Sequence, residues 1–176
     1  MKIYNKILSI GEQDKLENIC LGVDFPWFYL HDTAFSPTKS KRLNSQYDSF
    51  SHLLYRRHDK PVRSAFLYLF QSYLKTISEG IDLDYEKILR VRLGMYYPKS
   101  RSPRHHNPHV DDQRKHIVAL YYINNSTGNT FLFSKKPPIQ ITPQKGKLVV
   151  FKGDLKHASS DPTDKLRLTL NINYAL

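Results

Sequence analysis

The sequence of 176 residues contains a single cysteine, Cys20, so it has neither a disulfide framework nor a thiolate cluster for zinc or an iron–sulfur centre. Long apolar runs are also absent, which argues against a signal peptide or a membrane-spanning helix. Acidic residues number only 16 against 27 lysines and arginines, and the resulting formal charge of +11 favours anionic partners. We therefore expect a soluble cytoplasmic protein with no membrane partner.

The first half of the chain has the spacing of helices. Ser9 and Glu12 form a Ser-x-x-Glu capping box, which predicts a helix from there to about Gly22. After Pro61, apolar and aromatic residues recur at helical spacing as far as Gly80, which predicts a second helix. We expect both helices to support a sheet.

A basic stretch between the two predicted helices, about Thr33 to Lys60, has no clear periodicity. Aromatic residues are interleaved with its lysines and arginines. Long loops of this kind in compact domains are lids, binding loops or disordered segments. Two interpretations remain open: a solvated basic surface, or a flexible flap over Lys39–Lys60 that closes over the functional site.

The second half of the chain has the texture of a β domain. The strongest predicted strands are Ile88–Tyr97, Ile117–Ile123, Thr130–Phe133, Leu148–Phe151 and Leu166–Tyr174, with shorter ones near Pro108–Asp111 and Asp154–Ala158. Turn residues separate these strands and no helical pattern interrupts them, which predicts antiparallel sheets in a jelly roll or sandwich. The fold class is therefore α+β: one domain, 1–176, with helical support over about 1–87 and a β core over about 88–176.

Two histidines and an aspartate form the chemical constellation of the chain. His109 and Asp111 stand at i and i+2 of a strand-like segment, where side chains point to the same face. His157 follows on another predicted strand, after enough chain to return alongside. Two imidazoles and one carboxylate on one face of an octahedron form the facial triad of non-haem Fe(II) oxygenases.

An arginine at the start of the last predicted strand adds a second signal. Arg167 follows His157 by ten residues, an even offset that favours the same sheet face. A guanidinium inside a small barrel is costly unless an anion meets it, and its planar fork suits a carboxylate. An iron centre with a carboxylate-binding arginine deeper in the barrel predicts a dicarboxylate cosubstrate.

From about Val91 to Tyr174 the chain resembles the 2-oxoglutarate- and Fe(II)-dependent dioxygenases, especially the prolyl 4-hydroxylase-like branch. The triad and Arg167 carry the resemblance, together with an aromatic-proline pair at Tyr97-Pro98 and the Tyr-x-Asn strand end at Tyr122. Nucleic-acid demethylases of the same superfamily place a second arginine six residues after the first, where this chain has Asn173.

The resemblance implies a double-stranded β-helix that binds Fe(II) through His109, Asp111 and His157, with 2-oxoglutarate and O2 as cosubstrates. It also implies that Arg167 and Tyr122 hold the C5 carboxylate of 2-oxoglutarate and that Tyr97 lies near its metal-bound end. No catalytic residue beyond the metal centre is implied. The expected reaction is hydroxylation of a prolyl or other peptide residue, or of an anionic macromolecule, with release of succinate and CO2.

Three alternatives stay open on the sequence. A cupin-like metal protein without oxygenase activity shares the barrel and the triad but does not need Arg167. A basic nucleic-acid-binding module explains the charge and the interleaved aromatic residues but leaves the triad a coincidence. A catalytically silent oxygenase fold used for interaction is the third.

Overall fold

The structure, a computed structural model, describes residues 1–31, 48–100 and 104–176. Its strands are β1 (Lys2–Tyr4), β2 (Phe28–Leu30), β3 (Ser49–Arg56), β4 (Val62–Arg63), β5 (Ile88–Tyr96), β6 (His116–Tyr122), β7 (Thr130–Leu132), β8 (Ile139–Ile141), β9 (Leu148–Lys152), β10 (His157–Ser159) and β11 (Arg167–Ala175). Its helices are α1 (Ile10–Leu21) and α2 (Gln71–Gly80), with 3-10 helices at Ala65–Leu69 and Tyr85–Lys87.

The strands form two antiparallel sheets. The larger sheet has the strand order β1-β9-β6-β11-β5-β3-β2, with β4 paired to β3, and the smaller has the order β10-β7-β8. Chain neighbours are therefore rarely sheet neighbours, as expected for a jelly roll. This arrangement confirms the predicted antiparallel double-stranded β-helix with supporting helices.

Alternation along β11 assigns the two faces of the larger sheet. Its leucines and Ile172 pack on the helical side, in a core that includes residues of both α1 and α2. Arg167, Thr169 and Asn171 instead line a cavity between the two sheets. The strand thus separates an apolar core from a polar cavity, and the polar residues of its inner face carry the chemistry.

The helices form largely where the sequence predicts them. The Ser9 hydroxyl accepts a hydrogen bond from the Glu12 amide (3.3 Å) and the Glu12 carboxylate accepts one from the Ser9 amide (2.8 Å), which confirms the capping box of α1. The second helix begins later than predicted, since Val62 and Arg63 form β4 and a 3-10 helix precedes α2. None of the helices in the described ranges is long and apolar enough to span a membrane.

The predicted loop from Thr33 to Lys60 is wrong over Ser49–Arg56, which forms β3 between β2 and β5. Its polar residues concealed the strand because they are buried and paired: His52 contacts the Ser64 hydroxyl and the Pro26 carbonyl, each at 2.7 Å. A flexible flap over the whole of Lys39–Lys60 is therefore excluded, while residues 32–47 of the predicted segment lie outside the described residues. The first half of the chain is also not only helical, since it contributes four strands to the larger sheet.

Candidate metal centre

Three potential ligands converge at one end of the cavity. His109, Asp111 and His157 place one ligand atom each within 4.8 Å of one another. The Oδ1 atom of Asp111 lies 3.9 Å from Nε2 of His109 and 3.8 Å from Nε2 of His157. Neutral imidazole and carboxylate are the donors of the facial triad, so this cluster fits one divalent ion such as Fe(II).

A backbone bridge brings the two histidines together. The predicted strand near Pro108–Asp111 is reduced to one antiparallel bridge, in which His109 and His157 exchange backbone hydrogen bonds of 3.0 and 2.9 Å. The two imidazole rings consequently lie side by side, with their centroids 4.7 Å apart. This one hydrogen-bonded backbone pair therefore fixes the spacing of two of the three potential ligands.

The outer nitrogen of each imidazole has a backbone partner. Nδ1 of His109 lies 3.1 Å from the Asn107 carbonyl, and Nδ1 of His157 lies 3.2 Å from the Leu155 carbonyl. Because a carbonyl only accepts, Nδ1 carries the proton in each ring and Nε2 keeps a lone pair directed at Asp111. Burial lowers the pKa of His157, which favours the neutral, metal-binding form.

The Asp111 carboxylate is held from both sides. Arg90 contacts Oδ1 at 2.8 Å, an ion pair without the alignment of a hydrogen bond. On the other oxygen, Oδ2 accepts hydrogen bonds from the side-chain amides of Asn171 (2.9 Å) and Asn173 (3.1 Å). Burial is the largest single influence and opposes ionisation, but the charge of Arg90, the nearby histidines and the Asn173 hydrogen bond together hold the pKa of Asp111 well below its usual range. Because the two amide hydrogen bonds go to Oδ2 and Oδ1 lies beside the two histidines, we assign Oδ1 as the oxygen that faces the metal.

Arg167 lies in the same cavity and is 2% exposed. One terminal nitrogen donates to the Thr130 hydroxyl at 2.9 Å, and that hydroxyl also accepts a 2.7 Å hydrogen bond from Tyr122. The guanidinium stacks over the Tyr96 ring at 4.9 Å, a cation–π contact that fixes its plane. Its Nε is buried without a partner, and no carboxylate of the described residues forms an ion pair with it. A buried, oriented guanidinium with an unused donor fits the carboxylate of a bound anion.

Two glycines leave room around this arginine. A Cβ on Gly94 would lie 3.0 Å from the Thr169 hydroxyl, inside the cavity. A Cβ on Gly128 would lie 2.9 Å from Cδ of Arg167 and 2.8 Å from the Ser160 carbonyl. Gly128 is thus required by close packing against the arginine stem.

Tyr97 is not among the residues that line the cavity, and its expected place near the metal-bound end of 2-oxoglutarate stays a prediction. Its hydroxyl bonds to Asp48 and its ring packs against Phe50. The reason is strand parity: Arg92, Gly94 and Tyr96 face inward on β5, so its neighbour Tyr97 does not. Tyr96 is the aromatic residue that lines the cavity.

The other histidines of this region lie outside the cluster. His106 is buried and bonds through Nε2 to Asp161 at 2.9 Å, while Nδ1 of His116 bonds to the Arg114 carbonyl at 2.7 Å. His105 packs against two phenylalanine rings. Within the described residues, His109, Asp111 and His157 form the one group of three with ligand geometry.

Sequence reasoning missed the residues that support the ligands. Arg90, Asn171 and Asn173 surround Asp111, and Thr130 joins Arg167 to Tyr122. The available signal was alternation, because polar residues alternate with leucine, valine and isoleucine along both β5 and β11. Such a pattern in a strand flanked on both sides predicts a polar inner face.

No family model and no curated protein matches the chain. Solved structures do match it. An oxidoreductase of the 2OG-Fe(II) oxygenase family from Burkholderia pseudomallei has a TM-score of 0.69 and 13% identity over 98% of this chain and 84% of that chain. A non-haem alpha-ketoglutarate-dependent carbocyclase from nogalamycin biosynthesis has a TM-score of 0.66 and 12% identity over 98% and 78%.

A prolyl hydroxylase from Trichoplax adhaerens, in complex with a hypoxia inducible factor oxygen degradation domain peptide fragment, has a TM-score of 0.62. Its identity is 16%, over 99% of this chain and 82% of that chain. The chain therefore has the fold of the 2OG-Fe(II) oxygenases. At these identities the likeness concerns the fold, and the function is argued below from the site.

Proposed function

We propose that the protein is a 2-oxoglutarate- and Fe(II)-dependent dioxygenase that hydroxylates a substrate still to be identified. The observation that carries the proposal is a single cavity with a facial triad at one end and a buried, incompletely paired Arg167 at the other. The triad fits Fe(II), and Arg167 fits a carboxylate of 2-oxoglutarate. When bound, Fe(II) and 2-oxoglutarate supply oxygen activation coupled to decarboxylation of the cosubstrate to succinate and CO2.

The chain's own part in this chemistry is positioning. His109, Asp111 and His157 would hold Fe(II) and, as only three protein ligands, would leave coordination sites for the cosubstrates. Arg167 holds the C5 carboxylate of 2-oxoglutarate with support from Tyr122 and Thr130, which directs the keto acid end toward the metal.

Apolar side chains form part of the cavity wall. Leu120 and Phe151 line it beside the polar groups, and the Phe151 ring packs edge-on against the His157 ring at 5.1 Å. An apolar wall strengthens the electrostatic contacts inside the cavity and protects reactive species from solvent.

A role for Arg167 separates the oxygenase from a cupin-like metal protein. A metal site alone leaves this arginine buried without an anion, whereas a dicarboxylate supplies one. A prolyl or other peptide residue is the substrate class that the prolyl 4-hydroxylase-like branch suggests. A cytoplasmic location stays a prediction.

Succinate formation tests the proposal. Protein loaded with Fe(II) under air and given 2-oxoglutarate should release succinate slowly even without substrate, and His157→Ala should abolish this release by removing a ligand. The matched control is His116→Ala, which removes a histidine outside the cluster. If the parent protein binds the metal but never binds or consumes 2-oxoglutarate, a non-oxygenase metal protein replaces this proposal.

A further inference from the structure

A third guanidinium faces the cavity and has no role in the proposed cofactor set. Arg92, on β5, is half-buried and lines the cavity together with the metal ligands. It pairs in register with Asn171, whose side chain bonds to Asp111. Arg92 therefore lies on the part of the sheet that holds the metal end.

Each other charge at the site has a partner. Arg90 pairs with Asp111, and Arg167 is assigned the distal carboxylate of the cosubstrate. Asp111 and the chelating end of 2-oxoglutarate face the metal dication. Among the described residues no acidic group forms an ion pair with Arg92, and Asp111 is the only carboxylate lining the cavity. Arg92 thus has no ion-pair partner of its own among the described residues, and only the charge of Asp111, already paired with Arg90, acts on it from within the cavity.

The backbone position of Arg92 is distant along the strand from that of Arg167, the arginine assigned to the cosubstrate tail. Arg167 pairs in register with Tyr96, which stands four residues from Arg92 on β5. At roughly 3.3 Å per residue, the two positions are separated by about 13 Å along the strand. The two arginines therefore address different ends of the cavity.

Burial makes an idle arginine at this position costly. Desolvation lowers the pKa of the Arg92 guanidinium, yet an arginine side chain stays protonated at neutral pH. An arginine at the cavity wall that lacks an ion-pair partner gains a charge-assisted contact when an anion binds beside it. The planar fork of the side chain suits phosphate and carboxylate groups.

We propose that Arg92 binds an anionic group of the primary substrate, a phosphate or a carboxylate, and so selects anionic substrates. This inference rests on the proposed oxygenase function, since it assigns the substrate to the metal end of that cavity. The excess of basic residues favours the approach of such a substrate from solution.

Two simple anions, inorganic phosphate and acetate, are the probes. Protein loaded with Mn(II) and saturating 2-oxoglutarate should broaden the 31P signal of phosphate or the 13C signal of labelled acetate saturably, because the paramagnetic ion lies close to the anion. Arg92→Gln should weaken this binding by about 10- to 150-fold, the loss of one charge-assisted contact. Arg92→Lys should keep part of the affinity, and Arg63→Gln, at an exposed arginine of β4, should change nothing. The preferred anion identifies the substrate group as phosphate or carboxylate.

Metal-free protein gives a second readout. The better of the two anions should raise the unfolding temperature of Arg92→Met by less than that of the parent, because the variant keeps only the carboxylate site at Arg167. Without anions, Arg92→Met should unfold about 2–4 °C higher than the parent, since it removes a desolvated charge.

The outcomes separate the two proposals. If 2-oxoglutarate binds but neither anion binds in an Arg92-dependent way, the inference fails and the oxygenase proposal stands. If Arg92→Gln weakens 2-oxoglutarate itself more than tenfold, Arg92 is a cosubstrate residue and the inference is again wrong. If the parent does not bind 2-oxoglutarate at all, the oxygenase proposal fails, and the metal-free unfolding measurement still decides whether Arg92 binds an anion.

Discussion

Replacing Arg167 by alanine removes the group on which the cosubstrate assignment depends. In the structure this guanidinium is fixed by the Tyr96 ring and by one hydrogen bond to Thr130, while its Nε is free to donate. A charge-assisted hydrogen bond contributes about 1.5–3 kcal/mol. Arg167→Ala should therefore weaken 2-oxoglutarate binding by about 10- to 150-fold, and by more if the carboxylate is left buried without a partner.

The assay is calorimetric titration of 2-oxoglutarate into anaerobic protein loaded with Mn(II). Metal affinity should survive in Arg167→Ala, because the side chain is not a ligand, and Arg167→Lys should keep part of the cosubstrate affinity by retaining the charge. Arg63→Ala, which removes an exposed arginine on β4, controls for the loss of one positive charge. Equal affinity for 2-oxoglutarate in Arg167→Ala and the parent would refute the assignment.

Three further predictions concern the surroundings of the site. Asn173→Ala removes one of the donors to Asp111 and should lower Mn(II) affinity by about 10- to 100-fold in a metal titration, whereas unchanged affinity would show that the second donor suffices. Gly94→Leu should place a side chain in the cavity and abolish 2-oxoglutarate binding in calorimetry while Mn(II) still binds; full cosubstrate binding would contradict this geometry. Burial opposes ionisation of Asp48, but hydrogen bonds from Lys99 and Tyr97 lower its pKa, so its contribution to stability should be present above about pH 4 and be lost as the pH falls further. The unfolding temperature of Asp48→Asn should accordingly fall less between pH 5 and pH 2 than that of the parent, and parallel curves would refute the role of Asp48.

The longest strands of the β core, β5, β6 and β11, were predictable because they carry a clear pattern and are bounded by turn residues. Period-two alternation in β5 and β11 identifies both the strands and their polar face, and it places Arg167 inside. The capping box likewise identified the start of α1. These signals are local, so a single sequence contains them.

Other parts of the fold depend on contacts that the sequence does not display. The strand β3 contains buried Ser49 and His52, and the polarity of His52 is compensated by the Pro26 carbonyl and the Ser64 hydroxyl, both distant in the chain. Short strands such as β8 form only by pairing to a neighbour. Their sequences alone therefore do not distinguish them from loops.

The candidate site also combines features that follow from local sequence with features that depend on long-range contacts. Local spacing puts His109 beside Asp111, whereas the pairing of His109 with His157 is a long-range bridge. The resemblance to an aromatic-proline pair pointed to Tyr97, whereas strand parity places Tyr96 in the lining of the cavity. A count outward from Gly94, which must face the cavity, gives Tyr96.

The central claim is one divalent ion and one 2-oxoglutarate in the same cavity. The direct measurement is a crystal structure of protein grown anaerobically with Mn(II) and 2-oxoglutarate, with an anomalous map collected at the manganese edge. We predict one anomalous peak bound by His109, Asp111 and His157, and density for a five-carbon dicarboxylate that reaches from the peak to Arg167. A peak at His105, His106 or His116, or a metal at the triad with no dicarboxylate at Arg167, would contradict the account.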